Sequence, residues 1–293
     1  MNRAAGRIAP WHQPNWDARA LANFIGGGTG TGILVAAAIA GAAGAPYRPL
    51  ALLALGLVAL GLACVWLEIG RPWRAFNVFL HPQTSWMTRE AMVAMPLFGA
   101  GLAALWQDGG AYAWGAAAFA AAFLCCQAQI LKAAKGIPAW RAPRVVPLIV
   151  ATGLAEGTGV LALACALPAT HAFARPVALT LAVLLVARAV TWRAYRRSLA
   201  APRSALAALD RAAPLFDSVG NWVAAGLAGA AAILAPDSMA APIGAAGGAL
   251  ALAGGWHLKF VLVTRAGFNQ GFALPRPPVR GSGAPGPSAK PGW

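Results

Sequence analysis

Residues 66–94 read WLEIGRPWRAFNVFLHPQTSWMTREAMVA and join two segments, each apolar enough to span a bilayer. Between them the connection gathers Glu68, Arg71, Arg74, His81, Arg89 and Glu90. Carboxylates at helix ends are costly in a membrane, so they usually mark a proton, ion or ligand site. Arg71 and Arg74, three residues apart, can share one face of a helical turn. The connection is also long for one that merely returns a helix to the bilayer. It reads as a docking and redox-ligand surface, with the rest of the chain as its scaffold.

The flanks of this stretch agree with a membrane setting. The 293-residue chain is 59% hydrophobic and 11% charged, whereas a soluble domain carries about 25% charged residues. Its net charge of +15 would point to nucleic acid only if gathered on one soluble surface. Here Lys and Arg sit between apolar segments, the distribution of a topology signal, and nucleic-acid binding is set aside. The basic N-terminus is followed by no short apolar stretch with a small-residue cleavage site. The first apolar segment, from Leu21, is long enough to stay as a span.

A span needs about 20 apolar residues. That rule predicts an all-α membrane protein, a bundle of eight transmembrane helices at 20–43, 49–69, 88–107, 111–132, 145–167, 174–196, 215–235 and 240–263. A cytoplasmic segment 1–19 precedes this 20–263 domain, and a Pro/Gly-rich tail 264–293 follows it. With eight spans, both termini share one side with the loops 70–88, 133–144 and 197–214. That side collects all but Arg48 and Arg175 of the 23 Lys and Arg residues. The positive-inside rule makes it cytoplasmic. Loop 197–214 (RSLAAPRSALAALDRAAP) reads as a short interfacial amphipathic helix. The GGGTGTG run at 26–32 lacks the preceding strand and the following acid of a nucleotide loop. Its Gly26/Gly30 and Gly28/Gly32 pairs suit close helix packing instead.

Several ionisable groups fall in or beside the spans. Glu68 closes the second and Glu90 opens the third, and acids contribute little to topology. An ion pair with Arg71 or Lys259 and a proton-transfer role are both open to them. Glu156 lies about eleven residues, roughly 16 Å, into the fifth span. A hydrogen bond to Thr152 or Thr158 is its structural alternative. Arg188 lies before the end of the sixth span, and His257 and Lys259 lie near the end of the eighth. Of the four histidines, His12, His81, His171 and His257, only His257 lies clearly inside a span. Axial ligation of haem needs a facing pair, so no haem is expected. Cys64, Cys125, Cys126 and Cys165 show no CxxC spacing, so neither a cluster nor another metal site is expected. Any redox role would therefore consist of holding a diffusible carrier beside a partner's cofactor.

LEIGRPWRAFN (67–77) followed by TSWMTREA (84–91) resembles the signature of the dimethyl sulfoxide reductase membrane-anchor family, within the wider NrfD/polysulfide-reductase-like anchors. In that family a helix-two end of the form H-L-G-x-P-x-R-A-F leads to a loop ending S-x-L-S-x-E. KAAKGIPAWRAP (132–143) and HLKFVLVTRAGFNQGF (257–272) resemble the family's loop between helices four and five and its last helix. The resemblance implies an anchor in a bacterial cytoplasmic membrane. Its partners would be an iron–sulfur electron-transfer subunit and a molybdopterin catalytic subunit, with ubiquinone or menaquinone as the exchanged carrier. The chain would be quinone-reactive without being an enzyme by itself.

The family's quinone-site acid falls at Glu90. Its helix-two His falls at Glu68, a departure that keeps proton-carrying capacity but removes a neutral hydrogen-bond donor. Arg74 matches the Arg of the R-A-F run. Arg71, Arg74 and Lys259 would position the head group, with Trp66, Trp73, Phe76 and Trp86 as an aromatic wall. His81, Glu156 and His257 complete the candidate binding set. The TRAGFNQGF segment is similar to anchors of phenylacetyl-CoA:acceptor oxidoreductase complexes. A cytoplasmic catalytic subunit of that kind implies electron flow from substrate to quinone. A proton-coupled secondary transporter and a passive anchor without a quinone site are the competing readings; no internal repeat favours the transporter.

Overall fold

The computed structural model describes residues 9–68 and 72–271, leaving aside the side chains of residues 72–74. Arg71, the side chains of Trp73 and Arg74, and most of the 264–293 tail therefore lie outside the described residues.

Among the described residues, each segment expected to span is helical over most of its length. The helices are α1 (Ala18–Ala42), α2 (Arg48–Glu68), α3 (Trp86–Gln107), α4 (Gly110–Ala133), the single turn α5 (Pro138–Arg141) and α6 (Val145–Ala164). They continue with α7 (Ala174–Ser198), α8 (Arg203–Ala213), α9 (Ala224–Ile233) and α10 (Asp237–Thr264). Two 3₁₀ stretches, Pro72–Leu80 and Pro168–Phe173, lie in connections, and a π-helical stretch, Pro214–Val223, runs between α8 and α9.

Six of the described helices are long and apolar enough to cross a membrane: α1, α2, α4, α6, α10, and α7 with the 3₁₀ turn before it. The two remaining expected spans differ for local reasons. Helix α3 carries Arg89 and Glu90 in its first turns and ends on Gln107. The expected 215–235 segment is divided between the π-stretch and α9. The amphipathic helix expected in loop 197–214 forms as α8, with Ala205, Ala208, Leu209 and Ala212 on its buried face.

Asp17 caps α1, accepting a hydrogen bond from the Arg19 amide at 2.8 Å. The Arg19 side chain also bonds this carboxylate and holds it below the usual carboxylate range. Helix α1 then runs through the middle of the molecule, touching α2, α4, α6 and α10. It thereby joins one group of helices, α1–α4, to a second made of α6, α7, α9 and α10.

The glycine run makes this central position possible. A Cβ at Gly30 would lie 2.6 Å from the Ala54 carbonyl oxygen of α2. At the crossing of α1 and α6, a Cβ on either Gly32 or Gly157 would overlap the other helix's backbone. With lipid outside, close backbone contact of this kind replaces the hydrophobic drive between helices.

One end of the bundle is tied together by hydrogen bonds that the apolar pattern does not announce. Trp140 of α5 donates its indole N–H to the Leu262 carbonyl at 2.7 Å and stacks on Trp16 at 4.5 Å. The Tyr195 hydroxyl donates to the Ala139 carbonyl at 2.8 Å. The segment after α10 pairs with the N-terminal segment through Gln13 N–H to Gly267 O at 2.8 Å and Asn269 N–H to Trp11 O at 3.0 Å.

The α1–α6 contact yields a direct test. Replacing Gly157 with Ala is expected to lower stability by about 1–3 kcal/mol through overpacking against backbone. Gly56→Ala on α2, whose added Cβ would meet nothing within 4 Å, is expected to be neutral or stabilising. Denaturation of the two variants in detergent micelles measures the difference.

Candidate functional site

Among the described residues, two polar groups built on buried carboxylates lie inside this apolar bundle. The first surrounds Glu90. Helix α3, capped by Ser85, carries Glu90 in its second turn and points it inward, leaving the residue 5% exposed. Its neighbours are the side chains of Asn23 on α1 and Gln127 on α4. The Gln127 amide donates to the Asn23 carbonyl at 2.9 Å. Glu90 Oε1, Asn23 Oδ1 and Gln127 Oε1 are all buried without a hydrogen-bond partner. Orphaned acceptors in such number call for a bound molecule or a proton.

Beside them opens a cavity of about 150 Å³, lined by Trp16, Asn23, Phe24, Glu68, Met87 and Glu90, among others. The two carboxylates from opposite ends of the 66–94 connection thus line one cavity. Glu68 is half-buried at its mouth, with Asp17 and Arg19 as its charged neighbours. The volume is below the roughly 300–1,000 Å³ of a drug-sized ligand site and suits a single ring or a small polar head group.

The second group lies deeper. Lys259 and Glu156 form an ion pair, Nζ to Oε2, at 2.6 Å, with both side chains at most 1% exposed. The Thr29 hydroxyl donates to the same carboxylate oxygen at 2.8 Å and in turn accepts from the Trp256 indole at 3.0 Å. Glycines hold the space open: an added Cβ at Gly28 would overlap Lys259 Nζ, and one at Gly255 the Glu156 carboxylate.

Nearby, Arg188 is fully buried. It donates to Asn221 Oδ1 at 2.6 Å, to Gly220 O at 2.6 Å and to Ala251 O at 2.9 Å. Gly220 and Asn221 both belong to the π-stretch, and π-geometry frequently marks such specialised positions. The two polar groups approach each other across α1. The ideal Cβ position of Gly28, which Lys259 Nζ approaches most closely, lies 3.8 Å from Gln127 Oε1.

The structure changes several expected partnerships. Lys259 pairs with Glu156, not with Glu68 or Glu90. Glu156 bonds Thr29 and Lys259 rather than Thr152 or Thr158; the Thr152 hydroxyl turns back to the Leu148 carbonyl at 2.7 Å. Trp86 is half-buried under the Arg89 guanidinium, 4.2 Å from its ring centroid, and does not line the Glu90 cavity. Trp66 and Phe76 are 50% and 70% exposed, and His81 is exposed in the connection. His257 lines a different cleft, beside α8.

Asn23, Gln127, Trp16 and Thr29 are the site residues that sequence reasoning missed. Asn23 and Gln127 had one legible signal: amides inside apolar segments must find partners within the bundle. Neither a protein-family model nor a curated protein matches the chain.

The buried pair carries its own test. Lys259→Met leaves Glu156 without its counter-charge and is expected to cost about 3–5 kcal/mol. The double replacement Lys259→Met with Glu156→Met is expected to recover most of that loss. A double-mutant cycle on unfolding in detergent reads both.

Proposed function

We propose that this chain is the membrane-anchor subunit of a molybdopterin/iron–sulfur oxidoreductase and that the Glu90 cavity receives the quinone head group. The observation that carries the reading is the cavity itself. It brings Glu68 and Glu90 together beside the orphaned amide oxygen of Asn23, at the end of the bundle where the basic connections gather. In this reading all eight helical segments span, both termini lie in the cytoplasm, and the iron–sulfur partner docks on that face.

The residues present fit a quinone. Two-electron reduction of a quinone consumes two protons, one at each carbonyl oxygen, while the electrons come from the partner's cluster. Glu90, when protonated, would donate a hydrogen bond to one carbonyl oxygen of a bound quinone and hold a proton there as general acid. Asn23 can turn its amide to present an N–H to the same ring. Glu68, at the mouth, returns protons from the aqueous side, and Trp16 and Phe24 form the apolar wall. Oxidation of a quinol runs the same steps in reverse.

The specific observation favouring a transporter is the buried set Glu156, Lys259 and Arg188 beside the π-interrupted helix, since broken helices line transport sites. Gentle detergent isolation of the chain separates the readings. An anchor brings down an iron–sulfur protein, molybdenum and quinone, whereas a transporter brings down none of these.

Within the complex, Glu90→Gln is expected to leave assembly intact and to slow quinone turnover about 100-fold or more, the usual contribution of a positioned acid. Unchanged quinone kinetics in that variant would remove Glu90 from the site.

A further inference from the structure

A concentration of uncompensated positive charge next to a cavity lies elsewhere, between α8 and the end of α10. There a cleft of about 510 Å³ is lined by His12, Ser204, Arg211, His257 and Arg265, with Val261 and Phe268 as apolar wall. Among the described residues no carboxylate lines it. The one acid of α8, Asp210, is turned to Arg196 in an ion pair instead. Arg211 spends only its Nε, on the Ala207 carbonyl at 3.1 Å. Arg265 lies over the Phe260 ring at 5.5 Å. Neither arginine has an ion pair among the described residues. Two arginines facing one cleft repel each other until an anion enters.

The position of the cleft selects the anion. His257 precedes Thr264, the last residue of α10, by about seven residues, so the cleft follows the helix for roughly 10 Å. It runs beside an amphipathic helix, α8, whose apolar face is turned into the bundle. Trp256 and Phe260 are exposed on the neighbouring face of α10, and Trp222 on the π-stretch. The cleft lies at the last turns of α10 beside α8, and basic pockets between helices at the cytoplasmic end of a bundle take lipid phosphates.

We infer that this cleft binds the phosphate of an anionic phospholipid. Arg211 and Arg265 hold the phosphate oxygens, Ser204 and the two imidazoles add donors, and an acyl chain runs down past Phe260 and Trp256. An arginine can meet two phosphate oxygens at once through parallel N–H bonds. This inference is independent of the quinone reading.

The test is thermal unfolding of the full chain, delipidated in neutral detergent. Phosphatidylglycerol, phosphatidylcholine and inorganic phosphate are titrated separately. Phosphatidylglycerol alone is expected to raise the midpoint. The double replacement R211Q/R265Q is expected to weaken its apparent affinity about thirtyfold, the equivalent of about 1 kcal/mol for each arginine. Arg144→Gln changes an exposed arginine outside the cleft and is expected to leave the affinity unchanged. Equal stabilisation by phosphatidylcholine, or none by any of the three, overturns the site. Stabilisation by inorganic phosphate to the same extent reassigns the cleft to a soluble phosphate and overturns the lipid. Loss in Arg144→Gln equal to that of the double variant overturns it in favour of general surface charge.

Discussion

A charge buried among apolar helices must find its counter-charge inside the bundle, because no water is at hand to solvate it. The Glu156–Lys259 pair meets that requirement, and much of the packing is arranged around it. Helix α1 has to supply Thr29 to the carboxylate while leaving room for the ammonium. Only a residue without a side chain at Gly28 allows the Lys259 Nζ to reach its place, and Gly255 does the same for Glu156. The contact of Gly32 with Gly157 brings the two helices close enough for the bond between Thr29 and Glu156. Packing and polar chemistry here depend on the same glycines.

Arg188 is satisfied in another way. Among the described residues no carboxylate bonds it directly, and two backbone carbonyls and the Asn221 amide oxygen accept its N–H bonds instead. Two of these three acceptors come from the π-stretch. A wider helical turn at that point presents Gly220 O and the Asn221 side chain to the guanidinium, at the expense of regular hydrogen bonding along the helix.

The Glu90 group is built differently, and the difference matters for the proposed role. Glu156 and Glu90 each keep one carboxylate oxygen without a partner. Glu156 carries an ion pair on its other oxygen, whereas no ion pair among the described residues reaches Glu90, and the neighbouring amide oxygens of Asn23 and Gln127 are orphaned as well. An unpaired carboxyl at the edge of a cavity is free to exchange its proton with a ligand. In the proposed reading the Glu90 group is the reaction site and the Glu156–Lys259 pair a strut, with Gln127 lying between them.

The apolar segments determined by themselves that the chain is helical and roughly where each helix lies, because burial in lipid demands long apolar runs with internally bonded backbone. The sequence also singled out Glu68, Glu90 and Glu156, since acids in such runs are too costly to be incidental. The GGGTGTG run was legible as a packing surface for a similar reason: little else suits successive glycines in a span. What only the tertiary structure decided was partnership. Lys259 lies 103 positions from Glu156, and Gln127 lies 104 from Asn23. Helical periodicity relates residues a few positions apart on one helix and carries nothing about which helices meet at the same depth. The pairing of Lys259 with Glu156, the joining of Asn23 to Glu90 and the open basic cleft beside α8 are all set by helix crossings, and those emerge only when the bundle closes.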